Sequence, residues 1–378
     1  MARSFQSIAL LVTLLVAMQC SVGVALASAL DPTQKQATGE RAWLLSVERD
    51  PTDIQSLQSL GEYYLHNERW QKSEYWLAKA YALSGGSEAI GYDLAYACMQ
   101  AGDLDDAKGY IEQTLGRADS ARLHNLLGEV EERHANYLDA AKEYHRAAEI
   151  DPSESNIFDL ATFLLQHKQY VGFVDESIKF FRYGVSKYPQ SSKMMVGLGV
   201  ALYASAQYDE ALRVLCAAVD LDPKDRRPIE FLGKARRVSS ELAKEVDRRL
   251  EDFAQRYPKN AATNYYYAVS LWERGGGEEG KNIDKIEALL RKAETEDPRW
   301  YEPHFQRGIL LQSEKQYPEA IREMVRTVKI KPDFGPAHYR LATLYGQTGE
   351  KSLAARELAI IQSIKNKHVD DTGVDAGK

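Results

Sequence analysis

From Ile54 onward the hydrophobic positions repeat with a helical rhythm. Leu57, Leu60, Gly61 and Tyr64 recur at spacings of three, four and seven, which puts them on one face of a helix. A polar break follows from His66 to Arg69, and Ser73, Leu77 and Ala80 then share the face of a second helix. The Gly85-Gly86 pair ends it. The pattern predicts two antiparallel helices of roughly 12–15 residues joined by a short turn. NYLDAAKEYHRAAEIDPSE from Asn136, QYDEALRVLCAAVDLDPKD from Gln207 and QYPEAIREMVRTVKIKPDF from Gln316 are three versions of the second helix and its exit.

The exits form a ladder. Pro51, Gly85, Asp119, Pro152, Pro189, Pro223, Pro258, Pro298 and Pro332 follow one another at steps of 34, 34, 33, 37, 34, 35, 40 and 34 residues. Small residues keep the same register. Gly61, Ala95, Gly128, Gly199, Gly233, Ala268, Gly308 and Ala342 occupy the eighth place of their units. Ala107, Ala140, Ala211, Ala320 and Ala354 occupy the twentieth. Small side chains let two helices approach closely. Large ones at the twenty-fourth place (Leu77, Ile111, Tyr144, Phe181, Leu215, Leu290 and Met324) fill the space beside them.

A unit of this length, with Leu-Gly, a tyrosine, Ala, an aromatic, Ala and Pro at these offsets, resembles the tetratricopeptide repeat. The resemblance covers about Ile54 to Ile364 as nine units. It implies an all-α, right-handed α-solenoid, or superhelix, of about nine helix-turn-helix units. Residues 28–53 are expected to form a capping helix, from Thr33 to Asp50, carrying Trp43 and Leu44. Residues 365–378, polar throughout, are expected to be a disordered tail. Some units depart from the pattern. The sixth has Val246 and Phe253 where small residues are expected, so its second helix should sit further out. The fourth is stretched around Tyr170 to Asp175 and the seventh around Gly275 to Lys285. GGGEEG at 275–280 lacks the Lys-Ser/Thr of a phosphate-binding loop and is expected to be a flexible connection.

Residues 1–27 read as a secretory signal. Arg3 precedes an uncharged run, Ile8 to Met18 is almost wholly apolar, and Ala25-Leu26-Ala27 has the small-x-small form of a cleavage site. The rival reading is a retained anchor within residues 4–30. Either way the expectation is an exported protein, periplasmic or secreted. With 48 basic and 55 acidic residues the net charge is -7, which argues against nucleic acid and against broad attraction to an anionic membrane. A membrane role is expected only if the N-terminal segment stays. Beyond Cys20, Cys98 and Cys216 are too few for a disulfide scaffold and read as buried small hydrophobes.

The sequence offers no catalytic or metal-binding constellation and implies no cofactor. The eight histidines are scattered without metal-ligand spacing. Glu131, Glu132 and His134 read as a solvated turn end, and Asp105-Asp106 as helix-start acids. The chain therefore reads as an interaction scaffold rather than an enzyme.

In arrays of the resembled family the first helices line a concave surface, with their second, fifth, ninth and twelfth places facing inward. Carried over, the candidate partner-binding residues are Tyr92, Tyr96, Asn125, Glu129, Phe163, Tyr203, Arg227, Lys234, Tyr265, Val269, Trp272, Phe305 and Tyr339. Aromatics dominate this set, as they do many binding hot spots. The expected occupant is a protein or peptide segment. The alternatives are a membrane-tethered assembly factor for envelope or export machinery and a carbohydrate-binding accessory protein. Family members that grip chaperone tails pair a Lys or Arg at the fifth place with Asn at the ninth. Gln58 and Glu62, then Tyr92 and Tyr96, stand at those places in the first two units, which argues against that role. Arg226, Arg227, Lys234, Arg236 and Arg237 form one basic cluster, read as a solvated face or as a contact for an acidic segment.

Overall fold

The computed structural model describes residues 32–236, 238–275 and 282–372. They are helical apart from turns and short connections. A leading helix α1 (Pro32–Arg49) is followed by nine hairpins. The first four are α2 (Ile54–His66) with α3 (Trp70–Leu83), α4 (Glu88–Ala101) with α5 (Leu104–Leu115), α6 (Ala121–Arg133) with α7 (Tyr137–Ile150), and α8 (Glu154–Gln166) with α9 (Phe173–Lys187). The next three are α10 (Ser192–Ala204) with α11 (Tyr208–Leu221), α12 (Arg227–Ala235) with α13 (Ser240–Arg256), and α14 (Ala261–Arg274) with α15 (Ile283–Glu296). The last two are α16 (Tyr301–Ser313) with α17 (Tyr317–Ile330) and α18 (Gly335–Gln347) with α19 (Lys351–Thr372). This is the expected all-α solenoid class, built from consecutive helical hairpins. None of the described helices is long and apolar enough to cross a membrane.

Contacts divide the chain into two compact units, one ending at Leu160 and the other beginning at Ala161. In the first, Leu57, Leu77, Leu94, Ile111 and Leu123 are sealed from solvent in one core. In the second, Leu215, Ile229, Val246, Phe253 and Leu290 form the largest core. Each such side chain contributes about 1.5–3 kcal/mol by leaving water.

The register of small and large residues explains how the hairpins close. A Cβ placed on Gly128 would lie 3.0 Å from Tyr144, one on Gly199 2.6 Å from Leu215, and one on Gly308 2.7 Å from Met324. Gly61 stands in the same relation to Leu77. Two serines adapt the pattern. Ser73 donates to the Gly61 carbonyl at 2.8 Å and Ser177 to that of Ala161 at 2.7 Å, so each small residue also satisfies its buried hydroxyl.

The turns are equally regular. Asp151, Asp222, Asp297 and Lys331, each preceding a proline, end their helices with φ between -137° and -130° and ψ between 82° and 95°. This is the extended conformation that a following proline enforces. Inside the hairpins, Glu68, Ala135, Ala206 and Lys315 stand at the fifteenth place with φ of 55–62°. Gly102 and Gly349 hold that place in the second and ninth hairpins. A left-handed residue there reverses the chain in three residues.

Several expectations are corrected or refined. The leading helix packs on α2: Tyr64 donates to Glu40 at 2.6 Å, and Trp43 lies 6.1 Å from Tyr63. The last helix runs to Thr372, past Lys365 where a disordered tail was expected, because residues 365–372 contain no helix breaker before Gly373. Glu131 is not part of a solvated turn end. It is 3% exposed, accepts from Asn136 at 2.8 Å and pairs with Lys108 at 2.7 Å. In the sixth hairpin Val246 and Phe253 are fully inside, and α12 and α13 meet along little of their length. The stretch in the fourth hairpin lengthens its turn, which ends at Gly172 with φ 88°. Residues 1–31, with the expected signal, Ala27 and Cys20, and residues 276–281 lie outside the described residues.

Candidate partner-binding faces

Each compact unit presents its own aromatic face on the first helices. In the first unit α4 places Tyr92 and Tyr96 one turn apart, so their rings lie nearly parallel at 8° with centroids 6.4 Å apart. The Arg122 guanidinium from α6 covers Tyr92 at 3.4 Å and reaches Asp93 at 3.6 Å. Burial pushes the Asp93 carboxyl up, against the pull of Arg122. Trp70 meets Tyr96 edge-on at 6.4 Å. Asn125 donates to Asn156 at 3.3 Å and to Asp159 at 3.2 Å, and Glu129 accepts from Arg133 at 2.8 Å. Tyr92, Tyr96, Asn125 and Glu129 are all half-buried.

The second unit gathers Tyr265 and Tyr266 from α14 around Trp300. Tyr265 lies 4.7 Å from Trp300 and 4.9 Å from Tyr266, in edge-on geometry. Gly233 of α12 makes room: a Cβ there would come within 2.8 Å of the Tyr266 ring. Two clefts meet at Tyr266 and Glu230. One, of about 210 Å³, runs past Gly233, Arg236, Tyr265, Val269 and Glu273. The other, of about 370 Å³, is bounded by Arg226, Arg299, Trp300, Tyr301 and Glu302. Glu302 Oε2 is buried with no hydrogen-bond partner among the described residues, and burial raises its carboxyl above the ordinary range. The Arg226 guanidinium stands 5.0 Å over Trp300 and 3.5 Å from Asp297. The surface is thus apolar at its centre and carries both charges at its edge.

The other sequence candidates divide. Tyr203 packs edge-on against Tyr208 at 5.4 Å, Phe305 against Phe334 at 5.0 Å, and both stay half-buried, as does Trp272. Tyr339 stands free at 63% exposure. Phe163 is a correction. It is 2% exposed and packs against Phe173 with centroids 6.3 Å apart. It stands at the tenth place of its unit, where Val130, Ala201, Leu310 and Leu344 are also buried, so the helix turns it toward the core. The basic cluster divides: the Arg226 and Arg227 side chains stay about half exposed, whereas that of Arg236 leaves the surface. Arg236 is largely buried, donates to Asp247 at 2.6 Å and to the Ser270 carbonyl at 3.1 Å, and also bonds Glu273. Arg227 makes a bidentate pair with Asp225 at 2.9 and 2.7 Å. Burial works to raise the Asp225 carboxyl, but the bonds from Arg227 hold it below its usual range. The Lys234 side chain and Arg237 lie outside the described residues.

The sequence reading missed Tyr266, Trp300 and Arg122. Trp300 precedes its helix and Tyr266 stands at the sixth place, so neither falls on an inward-facing place of the repeat. The Tyr265-Tyr266-Tyr267 run was the available signal.

The family model of the tetratricopeptide repeat matches residues 64–130, which span α3, α4, α5 and most of α6. Over that segment the chain carries tetratricopeptide repeats. Beyond the matched residues, Gly199 with Leu215 keeps the same eighth-to-twenty-fourth-place contact that Gly61 makes with Leu77 at the start of the match. Solved structures similar to this chain include MamA, at 17% identity over 46% of this chain and 97% of that one, with a TM-score of 0.38. YrrB, described as a TPR protein with an unusual peptide-binding site, is 18% identical over 50% of this chain and 96% of its own, with a TM-score of 0.41. The human IFIT1 dimer with m7Gppp-AAAA is 18% identical over 73% of this chain and 68% of its own, with a TM-score of 0.38. No curated protein sequence matches this chain.

Proposed function

We propose that this chain is an exported, non-enzymatic scaffold that holds a segment of a partner protein against its first-helix aromatics. The observation that carries this reading is the Tyr265, Tyr266 and Trp300 cluster opening onto two clefts. Rigid rings give contact area at small entropic cost, and mixed charges at the rim fix the register of a bound chain. The stacked Tyr92 and Tyr96 offer a second platform of the same kind. Export rests on the apolar run before Ala27. The intact mass of the protein recovered from its native compartment tests it: loss of 27 residues fits a cleaved signal, and an intact N-terminus makes the protein a tethered assembly factor.

The binding reading is tested with Tyr92, Tyr96, Tyr265 and Trp272 replaced together by Ala. Far-UV circular dichroism checks the fold, and pull-downs from envelope extract and from a polysaccharide panel read out binding. Loss of a protein partner is expected. Unchanged recovery by a folded variant would sink the assignment, and loss of polysaccharide binding alone would move it to a carbohydrate ligand.

A further inference from the structure

Three hairpins repeat one polar pair that the packing pattern does not require. His124 bonds Glu143, His304 bonds Glu323 and His338 bonds Glu357, each through Nδ1 and each 19 residues apart. In two of them the other ring nitrogen is occupied. His124 Nε2 lies 2.8 Å from Asp119, and His338 Nε2 lies 2.9 Å from the Pro332 carbonyl. The eighth hairpin differs. His304 instead borders a cavity of about 450 Å³, whose wall includes Glu294, Thr295 and Pro298. At the position of Glu294 the third and ninth hairpins have Thr114 and Val328, so of the three only His304 has a second carboxylate beside Nδ1; the second carboxylate of His124, Asp119, lies at Nε2.

That carboxylate is incompletely satisfied. Glu294 Oε2 accepts from Arg307 at 3.0 Å, whereas Glu294 Oε1 is buried with no hydrogen-bond partner among the described residues. The Glu294 side chain is 10% exposed, that of His304 8% and that of Glu323 5%. His304 Nδ1 lies 2.9 Å from Glu323 Oε2 and 3.5 Å from Glu294 Oε1, and one ligand atom from each of the three residues falls within 4.8 Å of the others. Arg307 and Arg326 occupy the remaining oxygens, Arg307 contacting Glu294 Oε2 and both contacting Glu323 Oε1. Glu287 lies 3.6 Å from Arg307 on its far side and is itself paired with Arg291 at 2.7 Å.

We propose that Glu294, His304 and Glu323 form a zinc site that ties the seventh hairpin to the eighth. One imidazole and two carboxylates are a zinc ligand set; donors about 2.0–2.2 Å from a shared tetrahedral ion stand about 3.4 Å apart, which the 3.5 Å separation matches and the 2.9 Å one reaches by widening about half an ångström as the metal replaces the proton between His304 and Glu323. Magnesium would keep its water shell and gains little from an imidazole. To bind, the ring carries its proton on Nε2 and offers Nδ1 to the metal. Arg307 holds the outer oxygens and so aims both carboxylates inward. The fourth position faces the cavity and takes a water.

The test uses the full chain, stripped with EDTA and dialysed against zinc chloride, with bound metal measured per chain and thermal unfolding followed in zinc and in magnesium. One zinc per chain is expected, with a melting temperature that rises with zinc and not with magnesium. Glu294→Gln keeps the volume and the bond to Arg307, and is expected to weaken zinc at least about 10-fold. His338→Gln, which removes a matching pair lacking the second carboxylate, is expected to retain it. Should Glu294→Gln fail to fold by circular dichroism, His304→Gln replaces it. Absence of zinc in the wild type, retention by the folded Glu294 or His304 variant, or an equal loss in His338→Gln would each overturn the site.

Discussion

The third and sixth hairpins start from the same pattern and solve their packing differently. In the third, Gly128 receives Tyr144 from its own second helix, and the hairpin is self-contained. In the sixth, Gly233 receives Tyr266 from the following hairpin, while α12 and α13 share little contact. Each also buries a charge at the eleventh place. Glu131 is matched by Lys108 and Asn136, and Arg236 by Asp247 and Glu273. When a hairpin closes on itself its first-helix face is filled by its own side chains. When the ring that fills it comes from the next hairpin, clefts open on either side. The irregular hairpin, not the regular one, therefore opens the clefts.

The largest effect should come from breaking the sixth hairpin's polar closure. Arg236→Ala leaves the Asp247 carboxylate buried without its partner, and urea unfolding is expected to show a loss of about 3–5 kcal/mol. The two glycines should then separate. Gly199→Val, at the place equivalent to Gly128, drives into Leu215 within its own hairpin and should cost about 1–3 kcal/mol. Gly233→Ala meets only the Tyr266 ring, which can swing toward the adjoining cleft, so its stability cost should stay below about 1.5 kcal/mol while partner binding falls. An equal stability cost at the two glycines would erase the distinction. The smallest effect has the opposite sign. Ala135→Gly and Ala206→Gly relieve a left-handed alanine with φ of 62° and 61°, and should each stabilise by about 1 kcal/mol in the same assay.

The thiols are unremarkable by comparison, as the sequence suggested. Cys98 and Cys216 are both buried and free. Burial pushes them up to about 12 and about 11, respectively.

The sequence by itself determined the hairpins, their order and their closest contacts. Glycine opposite a large residue, proline after an extended residue and a turn every unit are local rules, and local rules repeat in the chain as they repeat in space. The resemblance to the repeat family placed Tyr92, Tyr96 and Tyr265 on the first helices, where they are half-buried. The tertiary structure decided what periodicity cannot express. Phe163 fell inside because it stands one place off the expected register, and a single residue turns a helical side chain by about 100°. Trp300 and Tyr266 came together across two hairpins, and Arg236 left the surface for Asp247. Glu294, His304 and Glu323 are contributed by three helices, and their meeting depends on how one hairpin stacks on the next. Such contacts are set by the angle and depth of packing between units, which no spacing within a single unit encodes.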